Sequence, residues 1–172
     1  TNKLTFSYFK SEEDIRPFFA LQLEKTGVEY FDYYLLHALN DERYAFYEEC
    51  RAFDIAQELK QEGKVKHVGI SFHDTADVLD KILTEHPELE IVQIQFNYLD
   101  MESATVQSRK LYEVCRKHNK PMLIMEPVKG GELANLPDEA KKVFDSFGEE
   151  YSYASYAIRF AASFEGVYMV LS

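Results

Sequence analysis

The sequence predicts an α/β fold built on a parallel sheet, and three observations support that prediction. Residues 32–40 form a run of aromatic and aliphatic side chains that ends in polar ones. A continuous apolar run, without alternation, is typical of a parallel strand covered on both faces. Similar runs alternate with helical periodicity along the whole chain. At 172 residues and 46% hydrophobic content, the chain is long enough for one domain with a sizeable core.

Six strands are predicted, each a short apolar run that stops at polar or turn-forming residues. They lie near residues 1–4, 32–37, 66–71, 91–95, 122–125 and 167–171. We expect all six to be parallel, because each is separated from the next by a helical stretch. The helices should then lie on one side of a curved, open sheet.

Helical periodicity fills the segments between these strands. Ser11 and Asp14 match a capping box at the start of the first helix, and Gly27 marks its end. Further helices are predicted over residues 44–62, 75–83, 104–118, 138–147 and 152–163. No Pro/Gly/Ser-rich linker interrupts the pattern, so residues 1–172 are predicted to form a single domain.

Two parallel architectures fit this alternation, a doubly wound sheet and a (β/α)8 barrel. No strand is followed by a GxGxxG loop, whereas nearly every strand ends in polar residues. These features favour the barrel. A closed barrel has eight strands and typically about 250 residues. We therefore predict an incomplete (β/α)8 TIM barrel, with about six parallel strands and helices outside.

Charge and composition exclude several classes of function. The formal net charge of −11 opposes binding to nucleic acids or to anionic membrane surfaces. No apolar run approaches the roughly 20 residues of a membrane span, and the start of the chain shows no signal peptide, although a truncated chain could have lost one. The two cysteines, Cys50 and Cys115, have no CxxC spacing, and no histidine pair has metal-ligand spacing. These features predict a cytoplasmic protein without a metal site.

Four motifs at strand ends resemble the aldo/keto reductase family in order and spacing. One such motif is weak evidence, but four in succession are strong. The resemblance runs over the whole chain and corresponds to about the third to the eighth strand of the family's barrel. The motifs are Tyr34–His37, Gly63–Ser71, Gln93–Asn97 and Glu126–Gly131.

Two of the strand-end segments look most like a bacterial branch of the family that often carries a C-terminal iron–sulfur segment. They are Ser71–Asp74 and Met125–Pro127. The chain contains no cysteine cluster of that kind. An iron–sulfur cluster is therefore expected only in a parent segment outside this chain.

The resemblance implies two catalytic positions. His37 matches the family's histidine, which orients the substrate carbonyl, and Lys3 matches the lysine that lowers the pKa of a tyrosine general acid. That tyrosine and its companion aspartate precede Thr1 in the family. Hydride transfer leaves an alkoxide that must be protonated or stabilised. We therefore expect this chain alone to be inactive.

The resemblance also implies a nicotinamide cofactor, NADP or NAD, and favours NADP. Ser71 and Gln93 match positions that hydrogen-bond the carboxamide, although Phe72 stands where an asparagine is usual. Met125 stands where many members stack a tyrosine on the nicotinamide ring, and a thioether can pack there with less defined geometry. The family's phosphate-binding segment would follow Ser172.

Structural interpretations of the same residues remain open. His37 could be a satisfied interior or loop histidine, Lys3 a solvated lysine near the start of the chain, and Gln93 a structural amide inside the barrel. Two functions follow. The first is the central part of an NAD(P)H-dependent reductase of small aldehydes or ketones, and the alternative is an inactive barrel fragment or a cofactor-binding regulatory module. The edges of an open sheet also predict self-association.

Overall fold

The computed structural model describes residues 1–148 and 151–171 of the chain. Six strands form one sheet in chain order, and every neighbouring pair is parallel, as predicted. The first and last strands do not pair with each other within the described residues, so the sheet is open, consistent with an incomplete barrel. The strands are β1 (Asn2–Leu4), β2 (Phe31–Leu39), β3 (Val65–Phe72), β4 (Ile91–Gln95), β5 (Met122–Met125) and β6 (Val167–Val170).

Helices connect successive strands, and the capping box of the first helix is confirmed. The Asp14 carboxylate accepts from the Ser11 backbone at 3.3 Å, and Gly27 ends the helix with a φ of 67°. Short 3₁₀ turns lie at Phe6–Tyr8 and Lys129–Ala134. The helices are α1 (Glu12–Thr26), α2 (Asp41–Glu49), α3 (Ala52–Gln61), α4 (Ala76–Glu85), α5 (Ser108–Lys117), α6 (Asp138–Asp145) and α7 (Tyr153–Ala162).

Two predicted helices differ from the structure. The single helix expected over residues 44–62 is two helices, because Arg51 takes the left-handed conformation with a φ of 52° between α2 and α3. The helix expected from residue 104 begins at Ser108, because Gln107 is also left-handed, with a φ of 54°. Left-handed backbone cannot continue a right-handed helix. Periodicity of apolar side chains contains no signal for such a break.

The two faces of the sheet carry different side chains, as the two-residue period of a strand requires. Tyr34 and Leu36 of β2 join the large core beneath the helices. Leu35, between them, points to the opposite face and packs with Ile91 and Leu123 in a separate small cluster. This second face corresponds to the inside of a barrel. None of the helices in the described part of the chain could cross a membrane.

Candidate active site

The register of β1 and β2 brings Lys3 and His37 to the same edge of the sheet. Leu4 pairs with Leu36, so the next residues, Thr5 and His37, lie side by side just beyond the last pair. Lys3 and Thr5, two residues apart, share the inner face. The Thr5 hydroxyl lies 3.0 Å from Nδ1 of His37. The carboxyl ends of parallel strands are where ligands bind in barrels.

Tyr47 of α2 fastens these strand ends from the helix side. Its side chain is fully buried. The Tyr47 Oη lies 2.7 Å from the carbonyl oxygen of Leu4 and 3.0 Å from that of His37, and it accepts from the His37 backbone N–H at 3.2 Å. Burial raises the pKa of Tyr47, so the hydroxyl keeps its proton and remains a donor. One phenol therefore joins the ends of β1 and β2.

Positive charge surrounds the half-buried imidazole of His37. Burial lowers the pKa of His37, and electrostatic interaction with Lys3, His73 and Arg43 lowers it further. Burial also lowers the pKa of Lys3. Lys3 is thus close enough to His37 to act on it electrostatically. Because its pKa lies below the usual 6.5, the imidazole of His37 is neutral at physiological pH.

Strand β2 contains a strained residue next to His37, just before its end. Ala38 has a φ of 57°, and the pairing of β2 with β3 shifts register between Leu36 and Leu39. Its N–H donates to the Ser71 hydroxyl at 3.2 Å, and its carbonyl accepts from the Arg43 guanidinium at 2.8 Å. Such strain persists only where the surroundings hold it in place. Here both backbone groups of Ala38 are held.

The amide of Gln93 is buried and only partly satisfied. Gln93 is 3% exposed, and its Nε2 donates to the sulfur of the partly exposed Met125 at 3.1 Å. Its Oε1 has no hydrogen-bond partner among the described residues. Ser71, which pairs with Gln93 in the sheet, is fully buried, and its hydroxyl accepts from Ala38. An unpartnered buried oxygen is costly, so Gln93 suits a ligand that donates an N–H.

A buried carboxylate lies beyond β4 and β5, at Asp100, which is 3% exposed. Gln95 and Asn97 each donate an amide hydrogen bond to it at 2.8 Å, and Lys129 forms an ion pair with it. Burial alone would raise the pKa of Asp100, but the donors, Lys129 first among them, lower it below its usual value. Asn97 Nδ2 also donates to the Glu126 carbonyl at 3.0 Å. The group ties the turn after β4 to the turn after β5.

The turn after β5 borders a cavity of about 270 Å³ at the ends of β5 and β6. Gly130 and Gly131 form one wall with φ values of 60° and 96°, and Leu171 lies on the other side. Glycine takes this backbone without the steric cost that other residues meet. Among the described residues, no group of three or more histidine, cysteine or acidic side chains could hold a metal ion.

An open parallel sheet of six strands with helices outside, and with basic, hydroxyl and amide side chains near its carboxyl edge, is the architecture of part of a (β/α)8 barrel. The model of the aldo/keto reductase family matches residues 3–171. The chain therefore belongs to the aldo/keto reductase family of oxidoreductases.

Individual relatives agree with this assignment. The NADH-specific methylglyoxal reductase of Escherichia coli (strain K12) is 28% identical over 123 residues, which is 72% of this chain and 36% of the relative. A thermostable aldo-keto reductase in complex with the inhibitor epalrestat has a TM-score of 0.77 at 18% identity, covering 98% of this chain and 58% of that one.

A second solved structure, the aldo/keto reductase from Klebsiella pneumoniae in complex with NADP and acetate, has a TM-score of 0.73 at 18% identity. The match covers 99% of this chain and 58% of that one. At such identities the structural likeness shows the fold. The chain thus spans little more than half the length of these structures, and about a third of the curated relative.

The structure brings the proposed site residues together in separate contacts near the carboxyl ends of the strands. Lys3 and His37 interact electrostatically, Gln93 contacts Met125, and Ser71 accepts from the Ala38 N–H. The side chains that hold this arrangement were not predicted from the sequence. Thr5 and Tyr47 form hydrogen bonds that join the ends of β1 and β2, and Asp100 joins the turns after β4 and β5. Only the spacing of Asn97 and Asp100, typical of a side-chain-stabilised turn, offered a local signal.

Proposed function

We propose that this chain is the central part of an oxidoreductase that transfers a hydride between a nicotinamide coenzyme and a small aldehyde or ketone. The observation that supports it best is the placement of the half-buried His37 at the carboxyl edge of the sheet, where barrels bind ligands, next to the end of the strand that carries Lys3. The charge of Lys3 acts on His37 and helps to lower its pKa. Membership of the aldo/keto reductase family gives the same reaction class. The substrate would be a small molecule, and the protein is expected in the cytoplasm.

His37 would orient the substrate carbonyl. A neutral imidazole carries one N–H, and it can donate that proton in a hydrogen bond to the carbonyl oxygen. The neighbouring charges that lower the pKa of His37 also favour negative charge on that oxygen. As the carbonyl carbon accepts the hydride, the oxygen becomes an alkoxide. Donors already aimed at it lower the barrier, because they need no reorganisation during the reaction.

Lys3 would contribute positive charge at the same place. The side chain is partly buried, and a charge acts more strongly where water is excluded. The proton that finally neutralises the alkoxide needs a separate donor. By resemblance to the family, that donor is a tyrosine in the segment preceding Thr1.

A bound nicotinamide coenzyme would supply the hydride, and Ser71, Gln93 and Met125 are the residues proposed to hold its ring. The unpartnered Oε1 of Gln93 fits the amino group of a carboxamide. Met125 now takes the other hydrogen bond of Gln93, and its flexible thioether can change rotamer to admit a ring. NADP(H) remains the favoured form by resemblance, while the curated relative is described as NADH-specific.

The test is a His37→Phe variant in the longest available form of the protein that carries this chain. Phenylalanine offers no N–H, and loss of a donor aimed at a developing alkoxide should lower kcat for a test aldehyde by about 10²–10³-fold. His118→Phe is the control, because His118 binds Asp80 on the helix side of the sheet. An unchanged kcat/KM in His37→Phe would remove the role of His37.

A further inference from the structure

The hydrogen bond between Thr5 and His37 has no role in the reaction described above. Thr5 follows the last residue of β1, and its hydroxyl lies 3.0 Å from Nδ1 of the imidazole. The other histidines that bond through a ring nitrogen each meet a carboxylate: His67 meets Glu90, His86 meets Glu88 and His118 meets Asp80. His86 also meets the Tyr44 hydroxyl through its second ring nitrogen. A carboxylate favours the charged imidazolium, whereas a hydroxyl can serve a neutral ring.

The hydroxyl can bond Nδ1 in two ways, with opposite chemical consequences. If Thr5 donates, Nδ1 of His37 is bare and the single ring proton lies on Nε2. If Thr5 accepts, the proton lies on Nδ1, and Nε2 could only accept a hydrogen bond. A carbonyl oxygen needs a donor, so only the first arrangement lets Nε2 serve the substrate.

The surroundings favour donation by Thr5. Within the described ranges, Nδ1 of His37 is the one hydrogen-bond partner of the Thr5 hydroxyl, so a proton on that oxygen has no competing acceptor there. The same ranges offer no hydrogen-bond partner to Nε2 of His37. Burial, and after it the charged neighbours, lower the pKa of His37 and so disfavour a second proton on the ring.

We propose that Thr5 is a positioning residue that donates to Nδ1 of His37, and so holds the ring in the tautomer and orientation that present the Nε2 proton at the mouth of the barrel. The proposal rests on the role of His37 in the proposed function. Strand β1 would then contribute to the site twice: it carries Lys3, and Thr5 at its end sets which nitrogen of His37 is protonated.

The first experiment is nitrogen-15 NMR of the histidine rings in the 172-residue chain, which reports the tautomer without any need for activity. The native chain should show a bare Nδ1 and a protonated Nε2 for His37. Thr5→Ser keeps the hydroxyl and should keep this pattern. Thr5→Val removes the hydroxyl and should shift the ratio of the two tautomers about tenfold toward Nδ1–H. A tenfold change corresponds to the free energy of about one hydrogen bond.

Thr75→Val is the matched control, because the Thr75 hydroxyl makes no hydrogen bond to a described residue. It should leave the His37 signals in place, and backbone spectra of all variants check that they fold. A native ring protonated on Nδ1, or an unchanged ratio in Thr5→Val, would overturn the proposal. An equal shift in Thr75→Val would also overturn it.

The second experiment measures carbonyl reduction in the longer protein. Thr5→Val should lower kcat about 10–100-fold, as removal of a partner that orients a functional histidine does elsewhere, with KM for the coenzyme unchanged and recovery in Thr5→Ser. An unchanged kcat would refute the positioning role. If His37→Phe itself has no effect, the proposed function fails, and the NMR result still reports which ring nitrogen of His37 carries the proton when Thr5 is present.

Discussion

Gly69 of β3 and Ile91 of β4 lie so close that a Cβ on Gly69 would sit 2.2 Å from the carbonyl oxygen of Ile91. The same Cβ would lie 2.5 Å from the Ile91 side chain and 3.0 Å from that of Leu35. All three contacts involve Ile91 or Leu35, and both of these residues pair with Gly69 in the sheet. Because Gly69 has no side chain, the inner-face cluster of Leu35, Ile91 and Leu123 can pack across β3.

Gly69→Ala should strongly destabilise the fold, because the backbone of β4 must move to admit the methyl group. Overpacking of this kind costs typically about 1–3 kcal/mol, and more where backbone is displaced. Urea unfolding measures the free energy of unfolding. Lys66→Ala, at an exposed position of the same strand, should change it by about 0.5 kcal/mol or less. A Gly69→Ala chain as stable as the native one would contradict the close approach.

Tyr47→Phe should loosen the ends of β1 and β2 without opening a cavity. The variant removes the donor to the Leu4 carbonyl and the acceptor for the His37 N–H, and buried groups left unpaired cost about 1–3 kcal/mol. Amide hydrogen exchange at His37 should speed up together with the loss of global stability. Tyr8→Phe is the control, since Tyr8 is 66% exposed and its hydroxyl bonds to no described residue. Equal effects of the two substitutions would argue against the bridge.

The strands were predictable because a parallel strand buried on both faces needs an uninterrupted apolar run, and β2 to β5 each contain one. The break between α2 and α3 at Arg51 was not predictable, because a left-handed residue leaves the apolar periodicity of its neighbours intact. The same limit applies to the site. His37 stands at the end of an apolar run, where a polar residue attracts notice. The roles of Thr5 and Tyr47 depend on the register of a three-residue strand, which no local pattern encodes.

Asp100→Asn should destabilise the turns after β4 and β5 by about 1–3 kcal/mol, because it breaks the ion pair with Lys129 and replaces an acceptor of several hydrogen bonds. Chemical denaturation at neutral pH measures the loss. Asp138→Asn is the control, because the ion pair of Asp138 with Lys141 lies at the surface. A loss no larger than that of the control would show that the Asp100 group is not a structural tie.

The destabilisation by Asp100→Asn should depend on pH in one direction. The folded-state pKa of Asp100 is lowered, so the carboxylate contributes its full stability above the unfolded value of about 3.9 and loses it as pH falls through the folded value. The difference in unfolding free energy between native and variant chains should therefore be largest above about pH 4 and shrink below it. A difference that grows on acidification would contradict the lowered pKa.

The 172-residue chain by itself should show no measurable reduction of a test aldehyde with NADPH. Neutral His37 can orient a carbonyl, but the alkoxide still needs a proton donor, and general acid catalysis contributes about 10²–10⁴-fold. Tyr47 of α2, whose hydroxyl bonds the backbone of His37, is fully buried and already holds the strand ends, so it cannot take that part. The assay follows oxidation of the reduced nicotinamide, beside a longer form that includes the segment before Thr1. Comparable turnover by both would mean that a residue within this chain supplies the proton, and it would support a catalytic role beyond orientation for His37 or Lys3.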